Sequence, residues 1–201
     1  MSAATSTSHA EAAASAIALG NFDGVHLGHR RLFEALRAHA DANALRPLAL
    51  TFDPHPRHFF APSSKPALLT PPAEKAALIA ALGIEVVTLD FDAAVAALPA
   101  EAFVHDVLRA RLGGRAFFLG PDHRFGQGAR GDAALLHALC AEADAPHPLR
   151  APVTEIAPVE RDGRIVSSSA IRARLEAGDP TGAAAMLGRF YSLRGEVVRG
   201  R

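Results

Sequence analysis

Two histidines, His26 and His29, lie three residues apart in the segment Gly20–His29, whose sequence is GNFDGVHLGH. If this segment opens a helix, the two imidazoles are one turn apart and can project toward the same anion. The start of a helix exposes unpaired N–H groups and the positive end of the helix dipole, which favours phosphate. Gly28 would let phosphates approach the backbone closely. Imidazoles that donate hydrogen bonds to a phosphorus centre suit direct nucleotidyl transfer without a protein nucleophile.

Other interpretations of the two histidines stay open at this point. They could be ordinary residues that cap or pair locally at a helix start. They could also bind zinc together with His55 and His58, although no cysteine or pair of carboxylates supports that set. The phosphate-binding loop of kinases and ATPases is absent, because no Gly-rich segment ends in Gly-Lys-Ser/Thr. A dinucleotide redox enzyme is disfavoured, since no Gly-x-Gly-x-x-Gly follows the first predicted strand.

Short apolar runs alternate along the chain with segments of helical periodicity. The predicted strands are Ala14–Leu19, Pro47–Phe52, Ile84–Leu89, Arg115–Leu119 and Pro152–Pro158. The predicted helices are Leu27–Ala42, Pro72–Leu82, Pro99–Leu112, Asp132–Glu142, Ser167–Ala177 and Pro180–Leu187. Because the strands are continuously apolar, this order predicts an α/β fold, an open parallel sheet with helices on both faces. Ligands of such sheets bind beyond the carboxyl ends of the strands, so the segments that follow the strands are where chemistry is expected.

Composition narrows the classes of partner. Lys and Arg together number 21, as do Asp and Glu, so the formal net charge is zero and a sequence-independent nucleic-acid binder is disfavoured. No run approaches the ~20 apolar residues of a membrane span. The single cysteine, Cys140, cannot form a disulfide within the chain, which fits a reducing cytoplasm. We therefore expect no nucleic-acid or membrane partner and a cytoplasmic location.

The two ends of the chain differ from its middle. Residues 1–15, rich in Ala and Ser, have no Lys or Arg and are expected to be a flexible lead-in rather than a secretory signal. Residues 16–188 are expected to form one domain. Residues 189–201 are expected to begin a second, truncated one, because Tyr191–Arg201 (YSLRGEVVRGR) has the alternation of a new strand.

The segment GNFDGVHLGH resembles the first signature of the nucleotidylyltransferase superfamily, whose core is His-x-Gly-His. Its Gly-Asn-Phe-Asp-Gly opening resembles that of the bacterial bifunctional FAD synthetases, in which a riboflavin kinase is joined to an FMN adenylyltransferase. The resemblance implies a Rossmann-like nucleotidylyltransferase fold and contacts from His26 and His29 to the phosphates of ATP. The further residues that it implies for the nucleotide site are Gly20, Asn21, Phe22, Asp23 and Gly28.

A second segment, Ser167–Arg172 (SSSAIR), resembles the family's Ser-Ser-Thr-x-Ile-Arg signature. It implies that Ser168 and Ser169 bind ATP, with Ser169 standing where Thr is usual. Arg172 would neutralise the leaving pyrophosphate, since the planar guanidinium matches phosphate oxygens. Read without the resemblance, the same segment is an ordinary capped surface helix.

Two further segments resemble family loops and indicate which residues would contact the flavin. Thr51–Pro56 (TFDPHP) resembles a family segment and implies FMN contacts from Phe52, Pro54, Pro56 and Phe60, although an aromatic patch that closes the core is an alternative. Gly120–Gly131 (GPDHRFGQGARG) resembles the family's Gly-x-Asp-Phe-Arg-Phe-Gly loop. Asp122 would border the nucleotide and Phe125 the flavin, while His123 replaces the usual Phe. In the related segment LLTPPAEK, Thr70 is expected to cap a helix, and Glu74 and Lys75 are expected to be solvated.

The resemblance implies an FMN adenylyltransferase that uses ATP and FMN, with Mg²⁺ carried by the ATP and no dedicated metal site. Adenylyl transfer to phosphopantetheine or nicotinate mononucleotide is an alternative, as is a flavin or nucleotide carrier without catalysis. The last residues, LGRFYSLRGEVVRGR, resemble the junction into a riboflavin kinase domain, which is the expected downstream partner. The kinase's own Pro-Thr-x-Asn signature is absent, so kinase activity is not expected of this chain.

Overall fold

The computed structural model describes residues 13–61, 63, 65–141, 151–196 and 199. Its core is a five-stranded sheet in the order β3-β2-β1-β4-β5, in which every neighbouring pair is parallel. The strands are β1 (Ser15–Leu19), β2 (Arg46–Asp53), β3 (Glu85–Asp90), β4 (Gly114–Leu119) and β5 (Val153–Glu155). The predicted α/β class is therefore confirmed.

Helices follow the strands, as their periodicity indicates. The α-helices are α1 (Leu27–Ala42), α2 (Pro56–Phe60), α3 (Pro72–Ala80), α4 (Ala93–Ala96), α5 (Ala100–Ala102), α6 (Ala133–Ala141), α7 (Ser168–Glu176) and α8 (Pro180–Leu187). A π-helical stretch, Phe103–Arg111, continues α5, and a 3-10 turn covers Gln127–Ala129. A two-stranded antiparallel hairpin, β6 (Glu160–Arg161) and β7 (Arg164–Ile165), precedes α7.

Successive residues of the central strands face opposite sides of the sheet, and both sides are buried. Ile17 and Leu19 of β1 join a core cluster with the π-helical stretch and α6. Ala16 and Ala18 join a second cluster with α1 and α3. Because both faces are covered, these strands are continuously apolar, which explains why the sequence shows no alternation along them.

The order of the strands reverses direction between β1 and β4. From β1 the chain proceeds to β2 and β3 on one side, whereas β4 and β5 lie on the other side. In doubly wound sheets, ligands bind in the crevice outside the strand ends at such a switch point. The segments after β1 and β4 are residues 20–26 and 120–126. The fold therefore brings two of the loops that were predicted to bind the substrates to one crevice.

Several local predictions differ from the structure. Ser15 begins β1 instead of ending a flexible lead-in, and its hydroxyl donates to the Leu112 carbonyl at 2.5 Å; residues 1–12 lie outside the described ones. The strand predicted over 152–158 shortens to β5, because the chain turns into the β6–β7 hairpin. The helix predicted over 99–112 changes to π geometry, with Leu112 N–H donating to the Val107 carbonyl at 3.1 Å.

The strand predicted at the end of the chain is wrong for the part that the structure describes. Residues 191–196 and 199 belong to no strand. Residues 197, 198, 200 and 201 lie outside the described ones. Alternating Val and Arg favours an extended backbone, but a strand forms only where another strand offers it hydrogen-bonding partners.

Candidate active site

His26 ends the loop after β1 and caps helix α1. Its backbone is extended (φ −76°, ψ 175°), and its Nδ1 accepts a hydrogen bond from the His29 backbone N–H at 3.4 Å. A ring nitrogen that accepts a hydrogen bond carries no proton, so the neutral His26 ring holds its proton on Nε2. The capping contact thus selects the tautomer of His26.

The two imidazoles are stacked. Their ring centroids are 3.6 Å apart, with 17° between the planes. Burial lowers the pKa of His26 to about 4, against the opposing charge of Asp23. Burial also lowers the pKa of His29 well below its ordinary value, helped by the charge of a protonated His26. Both rings are therefore neutral at pH 7, which permits close stacking that two imidazolium ions would oppose.

Aromatic packing and a glycine hold this pair in place. Phe22 meets the His29 ring edge-on, with centroids 5.3 Å apart. A Cβ on Gly28 would lie 3.1 Å from the His26 ring, so a side chain there would press on the stacked pair. The Nδ1 of His29 is buried and has no hydrogen-bond partner among the described residues. The pair therefore retains one polar atom, Nδ1 of His29, that no described residue satisfies.

A first cavity, of about 510 Å³, lies over this helix start. The residues after β1 that were predicted for the nucleotide line it together with the two imidazoles: Gly20, Asn21, Phe22, Asp23 and Gly28. From other parts of the chain come Asp122, Ser168, Ser169 and Arg172. Every residue predicted for ATP thus borders one cavity, although the binding roles of these residues stay predictions.

A second cavity, of about 410 Å³, adjoins the first and has an aromatic lining. Phe52, Pro56, Phe60 and Phe125, predicted for the flavin, border it. Pro54 is not among its lining residues. Two further aromatic residues, Phe91 and Phe103, belong to none of the predicted site segments and also line it. Phe52 packs edge-on against Phe91, with ring centroids 5.6 Å apart.

Asp23 is buried and bonded to the protein instead of being free for a ligand. Its carboxylate accepts hydrogen bonds from Leu69 N–H at 2.9 Å and from Thr70 N–H at 3.1 Å. Arg172 Nη2 lies 2.5 Å from the same carboxylate, and Arg172 Nε donates to the Ala67 carbonyl at 2.6 Å. Asp23 therefore joins the β1 loop to residues 67–70 and to α7, and it fixes one edge of the Arg172 guanidinium.

The predictions for Thr70, Glu74 and Lys75 were wrong. Pro71 caps α3, whereas the Thr70 hydroxyl accepts from Gly24 N–H at 3.1 Å. Lys75 is only 8% exposed, and Glu74 hydrogen-bonds with the Ser192 hydroxyl at 3.1 Å. The charge pattern alone predicted two solvated side chains, but Lys75 reaches under the β1 loop and the Glu74 side chain is only 10% exposed, although Pro72 and Ala73 of the same turn are exposed.

Lys75 holds the strand ends that lead into the site. Its Nζ donates to the Asn21 carbonyl at 3.1 Å and to the Thr51 hydroxyl at 2.8 Å. The Thr51 hydroxyl donates in turn to the Asn21 carbonyl at 3.1 Å. Burial lowers the pKa of Lys75, while the charge of Asp23 opposes that shift. The ammonium group therefore fixes the backbone of Asn21 relative to β2.

Four further residues or segments near the site were not predicted from the sequence as part of it. His55 and Arg57, after β2, line the first cavity, and burial lowers the pKa of His55 to about 4. Ile165 of the β6–β7 hairpin also lines it. Arg189, beyond α8, donates to the Gly24 carbonyl at 2.8 Å. Of these, only His55 carried a signal, its place in the TFDPHP segment.

Polar groups at the start of α7 bond to the β1 loop. Ser167 caps α7 by accepting from Ala170 N–H at 3.2 Å. The Ser168 hydroxyl donates to the Asp23 carbonyl at 2.8 Å, so its lone pairs, not its proton, remain for a ligand.

In the part of the chain that the structure describes, no helix has the length and apolar character to cross a membrane.

Comparisons with known proteins identify the family of the chain. The model of the FAD synthetase family matches residues 8–170. The bifunctional riboflavin kinase/FMN adenylyltransferase of Escherichia coli K12 is 34% identical over 92% of this chain and 57% of its own length. The protein of the same name from Pseudomonas fluorescens is 35% identical over 91% of this chain and 57% of its own. The chain thus spans somewhat more than half the length of these relatives.

A solved structure has a similar fold. The crystal structure of a macrolide-efflux protein from Streptococcus pneumoniae matches 94% of this chain and 61% of that one. The TM-score is 0.78, and the sequences are 27% identical.

Proposed function

Because the chain belongs to the FAD synthetase family, we propose that it transfers AMP from ATP to the phosphate of FMN, giving FAD and pyrophosphate. The observation that carries the proposal is the pair of adjoining cavities at the switch point of the sheet. One cavity contains two stacked imidazoles at a helix start, and the other is lined by aromatic rings. A triphosphate suits the first cavity and an isoalloxazine ring suits the second.

In the proposed reaction, an oxygen of the FMN phosphate attacks the α-phosphorus of Mg²⁺–ATP, and the bond from that phosphorus to the bridging oxygen breaks. The electron pair of the broken bond leaves with pyrophosphate. His26 and His29 act as neutral hydrogen-bond donors to the phosphates. Their burial makes each hydrogen bond stronger than it would be in water. Arg172, already held by Asp23, stabilises the charge that gathers on the leaving group.

The proposal covers adenylyl transfer alone. The relatives' name includes a riboflavin kinase as well, and this chain spans 57% of their length. A kinase domain as partner stays a prediction. A cytoplasmic location, where ATP is abundant, is also proposed; it is supported by the single cysteine, which leaves no disulfide within the chain.

The test is to incubate the protein with Mg²⁺–ATP and FMN and to measure FAD and pyrophosphate together. Equal amounts of the two products are expected, with no product from nicotinate mononucleotide or phosphopantetheine. AMP transfer to one of those acceptors instead of FMN would refute the proposal.

The His29→Ala variant tests the role of the imidazole pair. Loss of a preorganised donor to the transferring group typically lowers turnover by about 10²–10³-fold. His137→Ala, on the exposed side of α6, is the matched control and should keep wild-type turnover. Unchanged turnover in a folded His29→Ala protein would remove this residue from the mechanism.

A further inference from the structure

His123 and Asn21 are the two described residues that line both cavities. In the proposed reaction, the phosphate of FMN must reach from the aromatic cavity to the α-phosphorus in the nucleotide cavity. The residues on the boundary are therefore the ones that the attacking phosphate passes. Asn21 has its backbone carbonyl fixed by Lys75 and Thr51. His123 comes from the loop after β4.

The loop that carries His123 is held firmly on its far side. Phe125 N–H donates to the Gly131 carbonyl at 3.0 Å, and Gly131 N–H donates back at 2.9 Å. Arg124 pairs with Asp132 at 2.8 Å. The left-handed backbone of Asp122 (φ 56°) turns the chain just before His123. A side chain on so constrained a loop can bind a ligand at little entropic cost.

The His123 ring has unused hydrogen-bonding capacity. It stacks beside Phe125, with centroids 6.4 Å apart, and no nitrogen of the ring has a hydrogen-bond partner in the described part of the chain. Burial lowers the pKa of His123 to about 4, so at pH 7 the ring is neutral, with one N–H donor and one acceptor. A neutral donor binds a phosphate oxygen without withdrawing as much of its nucleophilic electron density as a cation would.

We propose that the His123 imidazole donates a hydrogen bond to the phosphate monoester of the flavin substrate where the two cavities meet. This inference rests on the proposed function and deepens it, because it names a group that adds a contact to the phosphate of the acceptor, at a position where the family usually has Phe. No proton is transferred to or from His123. The ring orients the phosphate for attack and gives the site a preference for FMN over riboflavin, which lacks that phosphate.

The test compares the wild type with His123→Phe, which keeps a flat ring beside Phe125 and removes the donor. A hydrogen bond to a charged group is worth about a tenfold to a hundredfold change in affinity or rate. In the variant, kcat/KM for FMN should therefore fall by about tenfold to a hundredfold. Titration by flavin fluorescence quenching should show the preference for FMN over riboflavin falling by a similar factor, while riboflavin binding stays unchanged.

His123→Gln, which restores an N–H donor, is expected to recover part of the preference for FMN. His137→Phe, the same substitution on the exposed side of α6, is the control and should leave both measurements unchanged.

Two results for His123→Phe would overturn the inference. One is an unchanged kcat/KM with an unchanged preference for FMN. The other is an equal loss of FMN and riboflavin binding, which would mean that His123 only packs. If the wild type formed no FAD, the proposed function would fail, while the ratio of FMN to riboflavin binding would still report on His123.

Discussion

The Asp23→Asn substitution is expected to lower the free energy of unfolding by about 3 kcal/mol, the lower end of the cost of breaking a buried ion pair. The side chains of Asp23 and Arg172 are 4% and 13% exposed, and Nη2 lies 2.5 Å from Oδ2. An amide cannot neutralise the guanidinium, and its NH₂ group would face one of the N–H donors of Leu69, Thr70 or Arg172. For a domain of this size, the loss corresponds to a Tm lower by about 6–12 °C.

Urea unfolding of Asp23→Asn, Arg172→Gln and the double variant forms a cycle that isolates the pair. If the two side chains stabilise each other, the double variant should cost less than the sum of the single ones, by about 1–3 kcal/mol. Glu34→Gln is the matched control. Its ion pair with Arg31 spans 3.7 Å with both side chains 68% exposed, so it should change stability by less than about 0.5 kcal/mol.

Strict additivity in this cycle would refute the reasoning, because it would mean that Asp23 and Arg172 stabilise the protein independently. A cost for Asp23→Asn as small as that of Glu34→Gln would refute it as well, because burial would then add nothing to the pair. Activity of the Arg172→Gln variant, measured as FAD formation, separates its proposed catalytic role from this structural one.

Two further predictions concern stability. Gly126→Ala should lower the free energy of unfolding by about 2 kcal/mol or more, because φ is 71° and the new Cβ would lie 2.6 Å from Ala100 Cα. Gly163→Ala is the control: its φ is 68° but the space around it is open, so it should lose only the energy of the backbone strain. Equal losses for the two variants in urea unfolding would contradict the packing argument. Between pH 6.5 and 4 the unfolded state binds more protons than the folded one, since burial lowers the pKa of His26 to about 4, so stability should fall with acidification. Each such imidazole changes the free energy of unfolding by up to about 1.4 kcal/mol per pH unit. In the His26→Asn variant, stability should depend less steeply on pH. A wild-type Tm that stays constant from pH 7 to 5 would contradict this prediction.

Local sequence patterns predicted much of the fold. Apolar runs and helical periodicity identified β1 to β4 and α1 within a residue or two, and continuous apolar character indicated a sheet covered on both faces. The segment Gly20–His29 and its companions indicated the family, which the comparison with the FAD synthetase family model confirmed. The sequence did not predict the short helices α2 and α4 or the β6–β7 hairpin, because a segment of two to five residues is too short to show the periodicity of a helix or a strand.

The sequence by itself determined which residues follow the strands, and a parallel sheet brings such segments to one edge; that is why the predicted nucleotide residues line one cavity. Only the tertiary structure decided what each side chain does there. Asp23 meets Arg172 across 149 positions, Lys75 reaches Asn21 across 54, and His123 comes to lie on the boundary of two cavities. Local patterns report on a residue's own turn or strand, whereas the burial of a charge and its partners depend on which distant elements pack over it.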